Sequence, residues 1–296
     1  MKEAVITCRG LRFAYDEKPV LHGIDFDLPD EGITALLGKN GAGKSTTINI
    51  LMGFLRPTGG QCRVLGHPSH AIPPAARCDI GLLHEGFIQY DYMSIAEIER
   101  FHAAFYPRWN AACFFELVER LNVPLTRRVS RMSQGQRSQV ALGLILAQQP
   151  RLMILDDYSM GLDVGYRRLF LELLRDYVNR QGVSVLLTSH VVRELDGIAD
   201  TVVVMREGRI AAGGSCDAVM RGLRCLRLPL NEASLALRPD DVLVSVERHP
   251  DSVSVYSHAG AAVLDAYLAA RCPGDVKPEE VVMDLEDAFI GLTGRY

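Results

Sequence analysis

Short apolar runs of strand length, separated by glycine-rich or charged turns, fill the first part of the chain between residues 5 and 63. One of them, residues 33–37, leads straight into a glycine-rich loop and then a helix expected from residue 44 to about 55. From residue 94 to 150 strand signals stop. Apolar positions at helical spacing, as in residues 111–121, and the punctuation of Pro107, Pro124 and Pro150 predict a helical insertion there. Beyond it, residues 152–155 and 183–187 are continuous apolar runs rich in leucine and β-branched residues, with a helix expected over residues 165–180 between them. Such runs suit parallel strands buried on both faces. Near Gly213 and Gly214 the pattern changes again: residues 242–246 and 253–256 alternate in strand fashion, and a helix is expected over residues 261–271. The predicted fold class is α/β, with a main domain over residues 1–215 that carries its helical part at about 90–150. A small α+β appendage is expected over residues 216–296.

The composition fits this picture and narrows the function. With 296 residues, 48% hydrophobic and 23% charged, the chain has enough apolar material to bury a sizeable core. A net charge of -4 supplies no general basic face for nucleic acid, so no nucleic-acid partner is expected. No apolar run approaches the ~18–20 residues that cross a bilayer, and the starting segment MKEAVITCRG lacks the charged and apolar pattern of a signal peptide, so a cytoplasmic location is expected. The seven cysteines are scattered and never spaced C-x-x-C, which argues against a structural metal site or a disulfide framework.

The first chemistry lies in Gly38-Lys39-Asn40-Gly41-Ala42-Gly43-Lys44-Ser45-Thr46, which fits G-x-x-x-x-G-K-[ST] between an apolar run and a helix. Glycines at these positions let backbone N–H groups wrap phosphates, and the helix N-terminus adds a favourable dipole. Lys44 neutralises β/γ charge and Ser45 can ligate Mg²⁺. Nucleotide binding is therefore expected, but this loop alone does not separate kinases, GTPases, motors and transport ATPases.

Two later segments make the reading specific. Met132-Ser133-Gln134-Gly135-Gln136 precedes by about twenty residues an apolar strand that ends in Asp156, and Ser133 with Gln136 is also a capping-box pattern. In this order the sequence resembles the ABC ATPase family, whose signature pentapeptide is usually LSGGQ. The resemblance covers residues 1 to about 215. It implies a P-loop NTPase core with an ABC-type antiparallel β subdomain and a helical subdomain. It also implies ATP and Mg²⁺ as cofactors, with Asp156 and Ser45 as metal residues. Ser133, Gly135 and Gln136 would reach the γ-phosphate held by a second subunit, and Asp163, in Ser159-Met160-Gly161-Leu162-Asp163, would lie in the dimer-contacting turn. His190, in Thr188-Ser189-His190, resembles the switch histidine, and Tyr15, twenty-nine residues before Lys44, the ring that stacks on adenine.

The chain departs from the family at two places. The catalytic Glu that normally follows the Mg²⁺ aspartate is Asp157 here, which retracts the carboxylate by about one C–C bond, roughly 1.5 Å. A displacement of ~1 Å can cost a catalytic group ~10²-fold, or about 2.7 kcal/mol, so slow hydrolysis is expected. Glu85, in Leu82-Leu83-His84-Glu85-Gly86-Phe87, stands where a Gln usually ligates Mg²⁺; Gln89 is the nearest glutamine.

Phe105-Tyr106-Pro107-Arg108-Trp109-Asn110 and the segment from Leu285 to Arg295 look like parts of bacterial exporter ATPases of the drug- and antibiotic-resistance type. That likeness implies a separately encoded transmembrane permease, with the chain peripheral on the inner face of the cell membrane; the second ATPase subunit is expected as a homodimer partner, with a heterodimer left open. Two alternatives stay open: a soluble ABC ATPase that moves no substrate, and a regulatory module that closes a dimer on ATP and rarely hydrolyses it.

Overall fold

The computed structural model describes residues 4–84, 90–272 and 278–294. Two long strands, β1 (Ile6–Tyr15) and β2 (Lys18–Leu28), form a hairpin and lead into β3 (Gly32–Gly38) and α1 (Lys44–Leu51). Then come β4 (Gly59–Val64), β5 (His67–Pro68), α2 (Pro74–Arg77) and β6 (Ile80–Leu83). Three helices follow, α3 (Ile95–Ala103), α4 (Ala111–Glu119) and α5 (Gln134–Ala147). The chain then returns through β7 (Leu152–Leu155), α6 (Val164–Gln181), β8 (Ser184–Thr188), β9 (Thr201–Arg206) and β10 (Arg209–Ser215). The remaining elements are α7 (Cys216–Arg221), β11 (Arg224–Pro229), α8 (Glu232–Ala236), β12 (Ser245–Arg248), β13 (Ser252–Ser257), α9 (Ala261–Arg271), β14 (Glu279–Val281) and α10 (Leu285–Thr293).

These strands make three sheets. The central one has the order β10-β9-β3-β8-β7-β6, parallel throughout except for the antiparallel edge strand β10. Its strands β7 and β8 are buried at every residue, as their unbroken apolar sequence requires when both faces are covered. The first sheet, β2-β1-β4-β5, is antiparallel, and in β1 buried Ile6, Cys8, Leu11 and Phe13 interleave with more exposed neighbours. This strand carries Tyr15 to the mouth of the central sheet.

Helix α5 joins the helical region to the sheet. Val140, Leu144 and Ala147 pack with Ile95, Ile98, Phe114 and Val118, whereas Ala141, Leu142, Ile145 and Leu146 pack with the sheet residues Met153 and Leu155. A helix apolar on both sides has to be buried between two layers.

The third sheet, β12-β13-β11-β14, carries its own apolar cluster of Leu226, Leu228, Leu243, Val253, Val255, Leu264 and Leu268. Helix α10 bridges this sheet and the central one. Leu285, Ala288 and Leu292 belong to the same buried cluster as Val192, Leu195, Val202 and Val204 beside the central sheet. The helix lies close on Tyr256 at Gly291, where an added Cβ would sit 2.3 Å from the ring. Ser245 Oγ also donates to the Gly291 carbonyl at 2.5 Å.

Candidate functional site

Fully buried Ala35, Leu36 and Leu37 fix the end of β3, and the loop that follows turns through Gly41 (φ 79°) and Gly43 (φ 105°). Gly43 is the N-cap of α1 and has no side chain to cap it. The first N–H groups of the helix therefore face outward, an arrangement suited to phosphate. The φ of 105° at Gly43 disfavours any L side chain, and a Cβ there would lie 2.6 Å from Leu21 Cδ2, which would have to shift.

Lys44 is buried and curls back over the loop, its Nζ donating to the carbonyls of Gly38 at 2.6 Å and Lys39 at 3.1 Å. Burial pushes its pKa below the ordinary lysine value, while the carboxylates of Asp156 and Asp157 pull the other way. The ammonium is thus held where phosphate oxygens can take over from the two carbonyls.

Strand β7 delivers the facing wall. Asp156 Oδ1 accepts from Thr188 Oγ1 at 2.9 Å, and Thr188 Oγ1 accepts in turn from the backbone N–H of Asp157 at 2.8 Å. The end of β8 thereby holds the Asp156 carboxylate and the Asp157 backbone to the sheet. Asp157 has φ 45°. Its Oδ1 accepts from Ser159 Oγ at 3.0 Å and its Oδ2 lies 3.1 Å from His190 Nε2. Ser159 Oγ also lies 3.3 Å from Ser189 Oγ, which accepts from Val191 N–H at 3.0 Å.

These parts line one cleft of about 770 Å³: Tyr15 at one end, Asn40, Gly41 and Gly43 to Thr46 along the floor, and Asp156, Asp157 and His190 on the far wall. Tyr15 is half exposed and rests edge-on against Phe13, with ring centroids 4.8 Å apart. Gly38 contributes through its carbonyl beneath Lys44.

The remaining residues singled out in the sequence lie elsewhere. Ser133 caps α5, accepting from Gln136 N–H at 3.2 Å while Gln136 Oε1 accepts from Ser133 N–H at 3.0 Å. Asp163 caps α6, its Oδ1 accepting from Tyr166 N–H at 3.0 Å. Gly135 lies against the Tyr166 ring, where an added Cβ would approach within 2.3 Å. The starts of α5 and α6 therefore form one packed unit, but Ser133, Gly135, Gln136 and Asp163 do not line the cleft. Glu85 falls outside the described residues, as does Gln89.

Reading the sequence missed three hydroxyls, those of Thr188, Ser159 and Ser189. All three stood in segments the sequence singled out, Thr188 and Ser189 beside His190 and Ser159 at the start of the turn that ends in Asp163, but their partners depend on the register of β7 against β8. Tyr158, also missed, is fully buried and stacks on Phe170 at 5.2 Å, and burial pushes its phenol pKa up.

Among the described residues no three His, Cys, Asp or Glu side chains gather as a protein-only metal cage. A magnesium ion carried in with phosphates needs only one or two protein carboxylates. Asp156, buried and facing the cleft with Ser45, fits that sparser donor set. Among the described residues, too, no helix is long and apolar enough to cross a membrane.

The family pattern described as ABC transporter matches residues 21–159. The chain is 30% identical over 308 residues to the Nod factor export ATP-binding protein I of Paraburkholderia xenovorans (strain LB400), covering 100% of this chain and 99% of that one. It is 30% identical over 310 residues to the daunorubicin resistance ATP-binding protein DrrA3 of Streptomyces coeruleorubidus, covering 99% and 97%. Among solved structures, the ATP binding subunit of an ABC transporter superposes with a TM-score of 0.65 at 26% identity, over 73% of this chain and 92% of that one. A bacterial Atm1-family ABC exporter with ATP bound shares the fold, with a TM-score of 0.64 at 21% identity over 75% and 40%. A phosphate loop facing two strand-end carboxylates, on a chain matched along its length by ATP-binding subunits, places this protein in the ABC transporter family.

Proposed function

We propose that the chain is the ATP-hydrolysing subunit of an exporter, working as one of a head-to-tail pair against separate membrane subunits on the inner face of the cell membrane. The observation that carries this reading is the division of the site. Tyr15, Lys44, Asp156, Asp157 and His190 share one cleft, while Ser133, Gly135 and Gln136 form an intact helix start outside it. In a pair, the α5 start of one copy covers the cleft of the other, and the α5 dipole and its backbone N–H groups meet the γ-phosphate.

Within the cleft, Tyr15 stacks on adenine and the N–H groups at the start of α1 grip the phosphates. Lys44 leaves the Gly38 and Lys39 carbonyls for β/γ oxygens, and Ser45 and Asp156 hold Mg²⁺, which when bound neutralises charge developing on the phosphates. Asp157 orients the attacking water and accepts its proton, while His190 steadies Asp157 and the γ-phosphate side of the site. Closure of the pair moves the membrane subunits, and hydrolysis reopens it. Export is supported by relatives named for Nod factor export and daunorubicin resistance.

A second reading, a pair that closes on ATP and hydrolyses it slowly, draws support from Asp157, whose short carboxylate is already engaged by both Ser159 and His190.

Mixing variants tests the shared site. Lys44→Ala and Ser133→Ala should each be inactive alone. Mixed and reassociated, they regain one intact site in each heterodimer, about a quarter of wild-type activity for random pairing of symmetric subunits. No recovery, with heterodimers present by mass, rules out the head-to-tail arrangement.

A further inference from the structure

The loop that carries His190 has two sides, and only one belongs to the nucleotide cleft. Towards the cleft the imidazole meets Asp157, and the side chain is 48% exposed, so packing on that face does not fix it. After the histidine the chain makes a short 3-10 turn, Val192–Leu195, whose Val192 and Leu195 are buried. That turn packs on α10, with Leu285, Ala288 and Leu292 in the same apolar cluster.

Between the two lies a cavity of about 210 Å³, lined by Gly38, His190 and Val192 on one side and by Glu286, Phe289 and Ile290 of α10 on the other. The residue that opens the phosphate loop, the histidine of the facing wall and three side chains of α10 therefore border one space.

Helix α10 makes a firm wall. Its start is fixed by a reciprocal cap between Asp284 and Asp287. Its outer side rests on Tyr256 at Gly291, and its last carbonyls accept from Ser245 Oγ at 2.5 Å and from Arg206 at 3.4 Å. It cannot follow the histidine loop outward without breaking these contacts.

We infer that Phe289 is a positioning residue for hydrolysis: it backs the His190 loop and keeps the imidazole on Asp157. The aromatic ring is the largest of the side chains that α10 turns toward this cavity. Removing it widens the space behind the loop and lets His190 withdraw from Asp157, while Tyr15, Lys44 and the α1 start remain where they are. This inference rests on the proposed role of His190, and it brings a helix from outside the matched family pattern into the hydrolytic site.

The test uses the full chain and separates kcat from KM for Mg-ATP. Phe289→Ala should lower kcat by about tenfold or more with KM changed less than about twofold, because ground-state binding is untouched. Phe289→Leu should restore most of the loss, and Val263→Ala, exposed on α9, should behave as wild type. In a His190→Ala background Phe289→Ala should have no further effect, which a purely structural role would not produce. If Phe289→Ala does not fold, Ile290→Ala on the same wall should give the same split. Unchanged kcat in a folded Phe289→Ala or Ile290→Ala protein overturns the inference, as does a full additional loss in the His190→Ala background. Should His190→Ala itself leave turnover intact, the proposed role of the histidine falls and the inference falls with it. A loss in His190→Ala without one in Phe289→Ala removes only the inference.

Discussion

His190 Nε2 lies 3.1 Å from Oδ2 of Asp157, and Ser159 holds the other carboxylate oxygen at 3.0 Å. Both carboxylate oxygens of the proposed general base are thus engaged by neighbouring side chains. Asp157→Glu lengthens the side chain by about 1.5 Å and should raise phosphate release, by up to ~10²-fold if reach is the limit. Asp157→Asn should nearly abolish release while leaving ATP binding in place. Equal phosphate-release rates for wild type and Asp157→Asn would remove Asp157 from the mechanism.

Tyr15 lines the cleft, its ring at 81° to that of Phe13. Tyr15→Ala should weaken ATP binding by about 1–3 kcal/mol, the usual worth of one base on one aromatic ring, and Tyr15→Trp should preserve it. Titration with a fluorescent ATP analogue reads the difference, and an unaltered affinity in Tyr15→Ala would place the adenine elsewhere.

For Lys44 the direction of the pKa shift sets the pH dependence. The charged ammonium is the form that binds phosphate, and burial lowers its pKa, so affinity is full at lower pH and is lost as pH rises through that lowered value. The loss should begin at a lower pH than an exposed lysine would give. A Lys44→Arg protein, if it binds, should show no such loss over the same range. The nucleotide-free fold responds with the opposite sign. Between the folded and unfolded pKa values the unfolded chain binds more protons, so this group makes the fold more stable as pH rises. Calorimetric binding and melting across alkaline pH measure both.

Gly135→Ala should destabilise the protein by about 1–3 kcal/mol, the cost of forcing an extra methyl into a packed contact. The added Cβ would meet the Tyr166 ring at 2.3 Å. Tyr166→Ala should cancel much of that penalty in the double variant. Urea unfolding of the four proteins gives the coupling, and simple additivity would show that the ring moves aside freely.

Elements whose signals are local were legible in the sequence. Strand β7 and helix α9 begin and end where their apolar patterns predict. Helix α6 runs one residue further at each end, from the Asp163 cap to left-handed Gly182. Helix α1 stops at Leu51, short of the expected residue 55, because Gly53 adopts φ 74° and the N–H groups of Phe54 and Leu55 turn back to the Asn49 carbonyl. The strand expected over residues 242–246 starts only at Ser245, since the Asp240 carboxylate takes the N–H groups of Val242 and Leu243. Strand β11 escaped notice because buried Cys225 and Leu226 are consecutive and break the alternation. In the site, the phosphate loop, Asp156 and His190 were readable as a contiguous motif or as strand ends. The Thr188 link between β7 and β8, and the approach of α10 to His190, arise from tertiary register that no local pattern encodes.

The placement of α10 also bears on the order in which the chain becomes folded. Its residues Leu285, Ala288 and Leu292 cover Leu195, Val202 and Val204. During synthesis these core residues must wait for the chain from Leu195 to Leu285 to be made, roughly five to twenty seconds at usual elongation rates. Throughout that interval these residues lack their α10 neighbours, and an apolar strip stays uncovered. Truncated products would retain the strip, giving quality control a way to tell them from chains that carry α10.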